Sequence, residues 1–419
     1  MINCSSDFLQ ALNNPIKQLY LKFEIYDSRM NYITEITKQV TDQDKGDISV
    51  VASYISRRRF THDIVIHTRP IRRTFQFTLD NSSGNFTFGE NNFIWINKLV
   101  KLYTGLKLLN GQIEYLPQGV YWIMQPSDSH DENGKKVVIQ ASDKMSKYTD
   151  KRGLLTNPLT ISQGTNIATA IKAIFTDETM FNFDSITNTV PYDITFEMSK
   201  TKFEVANTLA EMAVCNLYYD ENGYLRLQQL NLNDLSNYPP VWTFKDGDYF
   251  YGGNNRELDQ TNLANHIVVI GGSSQTGTVR CELIVHNGYI TVIKSDNTGT
   301  TTSNINFSSG TQYSVENIGD IPLIWNNGNP DVAITTINDA LYRAKYELMK
   351  QLGYTEILTL QVAPVWFLDA GDVIQVIDNN NNVNGNYLID SITIPLTLNK
   401  AKIECRKEEE VITDWNLIN

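Results

Sequence analysis

The strongest constraint on the fold lies near the C-terminus, where apolar segments with β-branched residues alternate with turn sequences. These segments are residues 356–362, 373–377, 387–394 and 401–405. Pro364 and Pro395 interrupt the pattern, and residues 379–385 form an Asn-rich loop tip. Because Pro, Gly and Asn favour turns, the pattern predicts an antiparallel meander of the kind that builds a β-barrel.

A second β unit is predicted in residues 1–152. Apolar and polar residues alternate along residues 19–25, which indicates a half-buried strand. The Asn110-Gly111 pair favours a tight type I′ hairpin turn. Further strand patterns continue to about residue 141, so this segment has the size of one small barrel.

Residues 153–238 show helical spacing instead, which predicts a small α/β domain. Four apolar residues follow the i, i+3, i+4, i+7 pattern of one helix face: Ile167, Ala170, Ile171 and Ile174. A second helix is predicted after Thr201, because Glu204 stands at the capping-box spacing. Residues 190–196 fit a strand, and residues 217–227 fit a hairpin.

Residues 239–419 are predicted to hold a second barrel. Residues 262–271 fit a strand, because an apolar β-branched run follows Asn262. Residues 272–330 are rich in Gly, Ser, Thr and Asn, which predicts a loop-rich surface excursion. Residues 331–352 then show near-helical spacing, with Gly353 as the expected C′ residue.

Composition is that of a soluble globular protein, with 41% hydrophobic and 20% charged residues. No apolar run approaches the roughly 18 residues that span a bilayer, and the N-terminus lacks the pattern of a secretion signal. The net charge of −12 argues against a protein that wraps nucleic acid, since each neutralised phosphate needs a Lys or Arg. We therefore expect no membrane segment and a product that stays in the cytoplasm where it is made.

No pattern for a metal or cofactor site stands out. The four cysteines are scattered singly, so we interpret them as free thiols. Asp378, Asn380 and Asn382 have calcium-loop spacing, but Val383 and Ile389 occupy the positions that need Gly and a bidentate Glu. A hairpin tip is therefore the preferred interpretation, and we predict no metal and no cofactor.

Catalytic patterns are also lacking. Ser and Cys have no nucleophile-elbow motif, and His62 and His67 stand five apart in a strand-like region, on opposite faces. We predict that the protein is not an enzyme. Triads and carboxylate pairs assemble from residues distant in sequence, so this interpretation leaves a cleft site open as an alternative.

A basic cluster interrupts the first β unit and supplies the candidate interface residues. They are Arg57, Arg58, Arg59, Arg72 and Arg73. Three interpretations are open: a solvated or salt-bridged hairpin, pairing with a neighbouring subunit, and contact with DNA. We predict that the cluster faces neighbouring protein chains, because exposed arginines around a channel would retain a polyanion.

Several segments, in the right order along the chain, resemble the hub proteins of phage tails. These are the baseplate hub and tail-associated proteins, akin to the N-terminal half of VgrG spikes. The segments are residues 71–82 (IRRTFQFTLDNS), 364–373 (PVWFLDAGDV) and 385–396 (GNYLIDSITIPL). The order helix, strand, helix, hairpin also resembles the small domain between the two barrels of that family. Residues 262–271 resemble the opening strand of the second barrel in that family. Residues 54–69 look like an insertion relative to it.

The resemblance implies a mainly β fold with two tail-tube-like barrels, a small α/β domain and a loop-rich excursion. It further implies a homotrimer at the tip of a virion tail, assembled in the host cytoplasm, with DNA only in transit through the lumen. The implied partners are distal tail or tube proteins, the tape measure protein and receptor-binding or spike proteins. Family members often carry a lysin or fibre extension after the meander; this chain stops soon after it, so we expect any cell-wall enzyme to be separate.

Two other interpretations remain open at this stage. One is a tail-tip protein that binds the cell wall or degrades peptidoglycan, which would need an aromatic groove or an acidic pair in a cleft. The other is the sixfold distal tail ring protein, which has one tube-like domain per chain.

Overall fold

A computed structural model describes most of the chain. It covers residues 1–52, 70–132, 134–213, 215–229, 239–258, 263–273, 277–307, 311–352 and 356–407. Within these ranges the protein is mainly β with large antiparallel sheets, as the sequence predicts. No helix in the described ranges is long and apolar enough to cross a membrane.

The first β unit follows a short helix, α1 (Ser6–Leu12). Its strands are β1 (Leu19–Tyr26), β2 (Tyr32–Gln39), β3 (Lys45–Val51), β4 (Arg73–Asp80), β5 (Leu99–Lys107), β6 (Ile113–Ile123), β7 (Ser127–Asp131) and β8 (Gly134–Asp143). The predicted alternation along β1 is confirmed, since every second side chain from Leu19 is buried. The β5–β6 hairpin is present, but its turn is not type I′, because only Gly111 and not Asn110 has a positive φ.

The α/β region has its own core. Its elements are α2 (Ser146–Thr149), β9 (Leu159–Ile161), α3 (Ile167–Ile174), β10 (Phe181–Phe183), β11 (Ile194–Phe196), α4 (Lys202–Met212), β12 (Cys215–Tyr219) and β13 (Leu225–Gln229). Both predicted helices are confirmed, and the Thr201–Glu204 capping box is complete. The β12–β13 hairpin is also present, paired on one side with β10.

The next elements include a five-stranded sheet. In chain order they are β14 (Trp242–Lys245), β15 (Tyr251–Leu258), β16 (His266–Ser273), β17 (Gly277–His286), β18 (Tyr289–Asp296), β19 (Gly299–Asn306), α5 (Val315–Ile318), β20 (Pro322–Ile324) and α6 (Ile337–Leu352). The five-stranded sheet has the order β19-β18-β17-β16-β20, and α6 packs on β16 and β17.

Two predictions about this region are wrong. The strand predicted to open the second barrel is β16, which belongs to the five-stranded sheet and does not pair with the C-terminal strands. The predicted loop-rich excursion contains β17, β18 and β19, each eight to ten residues long. The physical reason is that alternate residues of β17 are apolar and pack under α6, so the polar composition reflects only the outer face. Asn262 and Gly353 lie outside the described residues.

Only the last three of the predicted C-terminal strands form a consecutive antiparallel meander, because the first strand pairs with the fourth and not with the second; all four strands are present. They are β21 (Glu356–Val362), β22 (Val373–Asp378), β23 (Val383–Pro395) and β24 (Ala401–Lys407). Together with β14 and β15 they form the second β unit. Pro395 ends β23 without interrupting it.

One 14-stranded sheet joins the two β units. Its main path is β15-β21-β24-β23-β3-β4-β8-β6-β5-β1-β2, with β14, β22 and β7 paired off this path. The connection is the antiparallel pair of β23 with β3, in which Ile392 lies opposite Val50 and Ile394 opposite Ile48. A single apolar core runs under both units, so their relative position is set by shared burial as well as by hydrogen bonds.

Candidate functional site: a buried charged junction

Arg72 and Arg73 lie at the start of β4, where the first β unit meets the turn that precedes β22. Both are buried inside the chain, with Arg73 1% exposed and Arg72 7% exposed. Arg73 follows the inward phase of β4, since Arg73, Phe75 and Phe77 are alternate buried positions, whereas Arg72 is buried just before the strand begins. A buried guanidinium is costly unless it is paired, so its partners decide what this site does.

Asp369 pairs with both arginines. Its Oδ2 atom accepts hydrogen bonds from Arg73 Nη2 at 2.5 Å and Arg72 Nη2 at 3.1 Å. Arg72 also donates to the carbonyl of Ala370. Burial alone would raise the pKa of Asp369, but the two guanidinium groups outweigh burial and hold that pKa below its ordinary value.

Asp143 closes the other side of the junction. At the end of β8, its Oδ2 atom accepts from the backbone amides of Arg72 at 2.7 Å and Arg73 at 3.0 Å. Its Oδ1 atom accepts from the amide of Met145 at 3.0 Å. Burial raises the pKa of Asp143 to about 6, against the opposing effect of these amides and of Arg73.

Gln118 extends the junction across β6. Its carbonyl accepts from Arg73 Nη1 at 3.2 Å and from the hydroxyl of Tyr121 at 2.6 Å. Its side-chain amide donates to the carbonyl of Trp366 at 2.9 Å, in the C-terminal turn. Gly119 has φ +138°, and a Cβ there would lie 2.7 Å from the Tyr121 ring, so Gly is required for this close approach.

The α/β region contacts the same place. The Arg72 guanidinium lies 4.4 Å from the ring centroid of Tyr218 on β12. Nearby, Lys144 Nζ lies 2.6 Å from Glu178 Oε2, and the Tyr219 hydroxyl donates to that oxygen at 2.7 Å. Burial lowers the pKa of Lys144, while Glu178 opposes that shift.

We call the set Arg72, Arg73, Asp143 and Asp369 the charged junction. It connects the first β unit, the second β unit and the α/β region within one chain. The carboxylates of Asp143 and Asp369 are held by amides and guanidinium groups, which is the arrangement of a structural joint. In the described part of the chain, no group of three or more His, Cys, Asp or Glu side chains could hold a metal ion.

The interface prediction therefore needs correction for Arg72 and Arg73. They pair within their own chain, because Asp369 reaches them from a turn 296 residues further along. Arg57, Arg58 and Arg59 lie outside the described residues, and the prediction for them stays untested. Sequence reasoning missed Asp143 and Asp369 as partners, although Asp369 lies in the turn that carries the family resemblance.

The calcium-like spacing at Asp378 is a hairpin tip, as predicted. Asp378 pairs with Val383 across the β22–β23 turn. Its Oδ2 atom accepts from the Tyr251 hydroxyl and the Asn254 amide, both at 2.7 Å. Its Oδ1 atom accepts from the backbone amide of Asn380 at 3.0 Å. These contacts fix the turn against β15.

The fold described above is the fold of phage tail proteins. The tail protein from Neisseria meningitidis MC58 matches with a TM-score of 0.57 and 12% identity over 94% of this chain and 98% of that one. The 43 kDa tail protein of prophage MuSo2 from Shewanella oneidensis matches with a TM-score of 0.55 and 12% identity, over 93% and 98%.

A chain of the Francisella PdpA–VgrG complex also shares the fold. It matches with a TM-score of 0.51 and 10% identity, over 94% of this chain and 53% of that one. The predicted resemblance to tail hub and VgrG proteins is thus confirmed at the level of the fold. No protein-family model and no curated protein sequence matches the chain.

Proposed function

We propose that this protein is a structural component of a phage tail, located in the central hub at the distal end, where the tail tube meets the tip. The observation that carries the proposal is the shared fold with the Neisseria tail protein, which extends over nearly the whole of both chains. A match of this extent includes both β units and the regions between them. A fold alone does not define a function, so the position of the protein in the tail is our proposal.

The hub is proposed to be a homotrimer. Each copy supplies two tube-like β units, with proposed domain limits of 1–152, 153–238 and 239–419. Three copies would give six β units around one axis and could dock on a sixfold tube. The β3–β23 pairing supports this arrangement, because it already places two β units side by side in one continuous sheet.

The centre of the ring is proposed to conduct DNA during ejection. The net charge of −12 supports this role, since like charge keeps a polyanion from adhering to the wall. The burial of Arg72 and Arg73 removes two cations from any exposed surface. Proposed neighbours are distal tail or tube proteins, the tape measure protein and receptor-binding or spike proteins. Arg57, Arg58 and Arg59 are proposed to face such neighbouring chains.

The protein is proposed to have no catalytic activity. This part of the proposal is supported by the neighbours reported above, two of which are named as tail proteins. Purified protein incubated with peptidoglycan should release no soluble muropeptides. Release that a single carboxylate substitution abolishes would overturn this part of the proposal.

Immunogold labelling of purified tails tests the position in the tail. Tails from the phage or prophage that encodes this chain should carry the label at one end only, beside the fibres or spike. A strain with an early stop codon in this gene should yield no complete tails, and the intact gene supplied in trans should restore them. Label along the whole tube, or complete tails without the protein, would contradict the proposal.

A further inference from the structure

The three most exposed large apolar side chains of the described residues lie on three loops that meet. They are Ile16 at 83%, Tyr249 at 64% and Leu109 at 67% exposed. Ile16 precedes β1, Leu109 lies in the β5–β6 turn and Tyr249 lies in the β14–β15 turn. We call these three residues the loop patch.

Two contacts bring these loops together. The backbone amide of Lys107 donates to the carbonyl of Gln18 at 3.1 Å, which joins the β5–β6 hairpin to the segment before β1. The ammonium of Lys17 lies 4.4 Å from the ring centroid of Tyr249, which joins that segment to the β14–β15 turn. The loop patch therefore includes residues of both β units.

Lys17 lies among the residues of the loop patch, and its ammonium group lacks a hydrogen-bond acceptor in the described ranges. Its Nζ atom is shielded from solvent and makes no hydrogen bond with any residue in the described ranges. Its contacts are the faces of Tyr249 and Phe250, the latter at 5.6 Å from the ring centroid. Burial lowers the pKa of this ammonium. A shielded cation without an acceptor is unfavourable unless another group supplies one.

Exposed apolar side chains grouped on a surface mark sites of protein association. The Lys17 ammonium among these side chains favours a partner that carries a carboxylate, because a carboxylate supplies both a hydrogen-bond acceptor and the opposite charge. We propose that the loop patch binds another protein of the tail, through a segment that presents apolar side chains around one Asp or Glu, whose carboxylate pairs with Lys17 after the ammonium turns outward from the Tyr249 ring. This inference rests on the proposed function in one respect, because the partner is sought in assembled phage tails.

Cross-linking in assembled tails identifies the occupant. A photo-reactive phenylalanine analogue placed at Leu109 should cross-link to a protein other than this chain, at an apolar segment that contains Asp or Glu. Met198, which is 54% exposed and lies just before α4, is the control position and should not yield that product. Cross-links only to a second copy of this chain, or none at all, would overturn the proposal.

Lys17 substitutions test the ion pair. Lys17→Gln should reduce the Leu109 cross-link by about tenfold or more, the effect of losing a charge-assisted hydrogen bond, while Lys17→Arg should retain most of it. Lys172→Gln is the control, because Lys172 is an exposed lysine that also lies over two aromatic rings, those of Phe181 and Phe183. An equal cross-link with Lys17→Gln would overturn the carboxylate pairing.

The two proposals fail differently. If this chain is absent from purified tails, the proposed function fails, and the docking proposal fails with it. If the chain is present but the Leu109 product is absent, the docking proposal fails alone. Thermal unfolding of the Lys17 variants without tails shows whether they fold, so that a lost product reports on binding.

Discussion

At the scale of single residues, Asp369 carries the connection between the β units. Its carboxylate is buried, and two guanidinium groups from the first unit compensate its charge. Removing one partner from such a site strongly destabilises the folded protein, because it leaves a buried charge unpaired. Substitutions in the charged junction should therefore lower the free energy of unfolding more than substitutions in surface ion pairs.

Replacing Arg73 should destabilise the fold much more than replacing an exposed arginine. Arg73→Met removes a buried partner of Asp369, and we expect a loss of about 3 kcal/mol in the free energy of unfolding. Arg226→Met is the matched control, since Arg226 and Asp184 form a partly exposed pair, and should cost at most about 1 kcal/mol. Urea unfolding measures both. Equal losses in the two variants would show that the junction has no special role.

Asp143 should give the stability a distinct pH dependence. Its pKa in the folded protein, about 6, lies above its ordinary value of 3.8, so between these values the folded state binds more protons than the unfolded state. This contribution to stability is complete below about pH 4 and is lost as the pH rises through about 6.

Asp143→Asn lacks this titration, so the substitution should cost more at pH 4.5 than at pH 7. The difference should be at most about 3 kcal/mol, from a shift of about two units. Urea midpoints of the wild type and the variant at both pH values measure it. A cost that grows towards pH 7 would contradict the assignment.

The strand pattern around Arg73 indicates that this residue is buried, although arginines are usually exposed. Phe75, Phe77 and Leu79 alternate with polar residues, and the same phase, extended back by two residues, places Arg73 on the inner face. The expectation that arginines are exposed prevailed over this pattern. The partner Asp369 could not be predicted, because nothing local connects a strand to a turn almost 300 residues later.

At the scale of elements, local signals were reliable. The helices α3 and α4 begin at capping residues, Asn166 and Thr201, that the sequence shows directly. The four C-terminal strands follow from alternation and turn residues. The five-stranded sheet was missed because β19 is exposed along nearly its whole length, which made its Thr-rich sequence resemble a loop.

The β12–β13 hairpin should depend on Gly223 for its contact with β6. Gly223 has φ +82°, and a Cβ there would lie 2.6 Å from Val120 Cγ2. Gly164 has φ +80° with no atom within 4 Å of such a Cβ, so it provides a control for backbone strain alone.

Gly223→Ala should lower the free energy of unfolding by about 1 to 3 kcal/mol more than Gly164→Ala, because only the former overpacks a contact. Urea unfolding measures the difference, and faster hydrogen exchange at the hairpin amides should accompany it. The same loss in both variants would mean that the hairpin tip is not held against β6.

At the scale of the whole molecule, the two β units act as one body. The β3–β23 pair and the charged junction connect segments more than 290 residues apart, and one apolar core lies beneath both. Sequence patterns predicted strands in both units, although β16 belongs to the five-stranded sheet, but they did not predict this connection, since long-range pairing leaves no local signal. A fixed pair of β units is what a threefold ring needs to present six units to a tube.

A cryo-electron microscopy map of purified tails tests the central claim most directly. It should show three copies of this chain around the tail axis at the distal end, with both β units of each copy in one ring around a central channel. A map with one, two or six copies around the axis, or with the chain outside the central ring, would contradict the account.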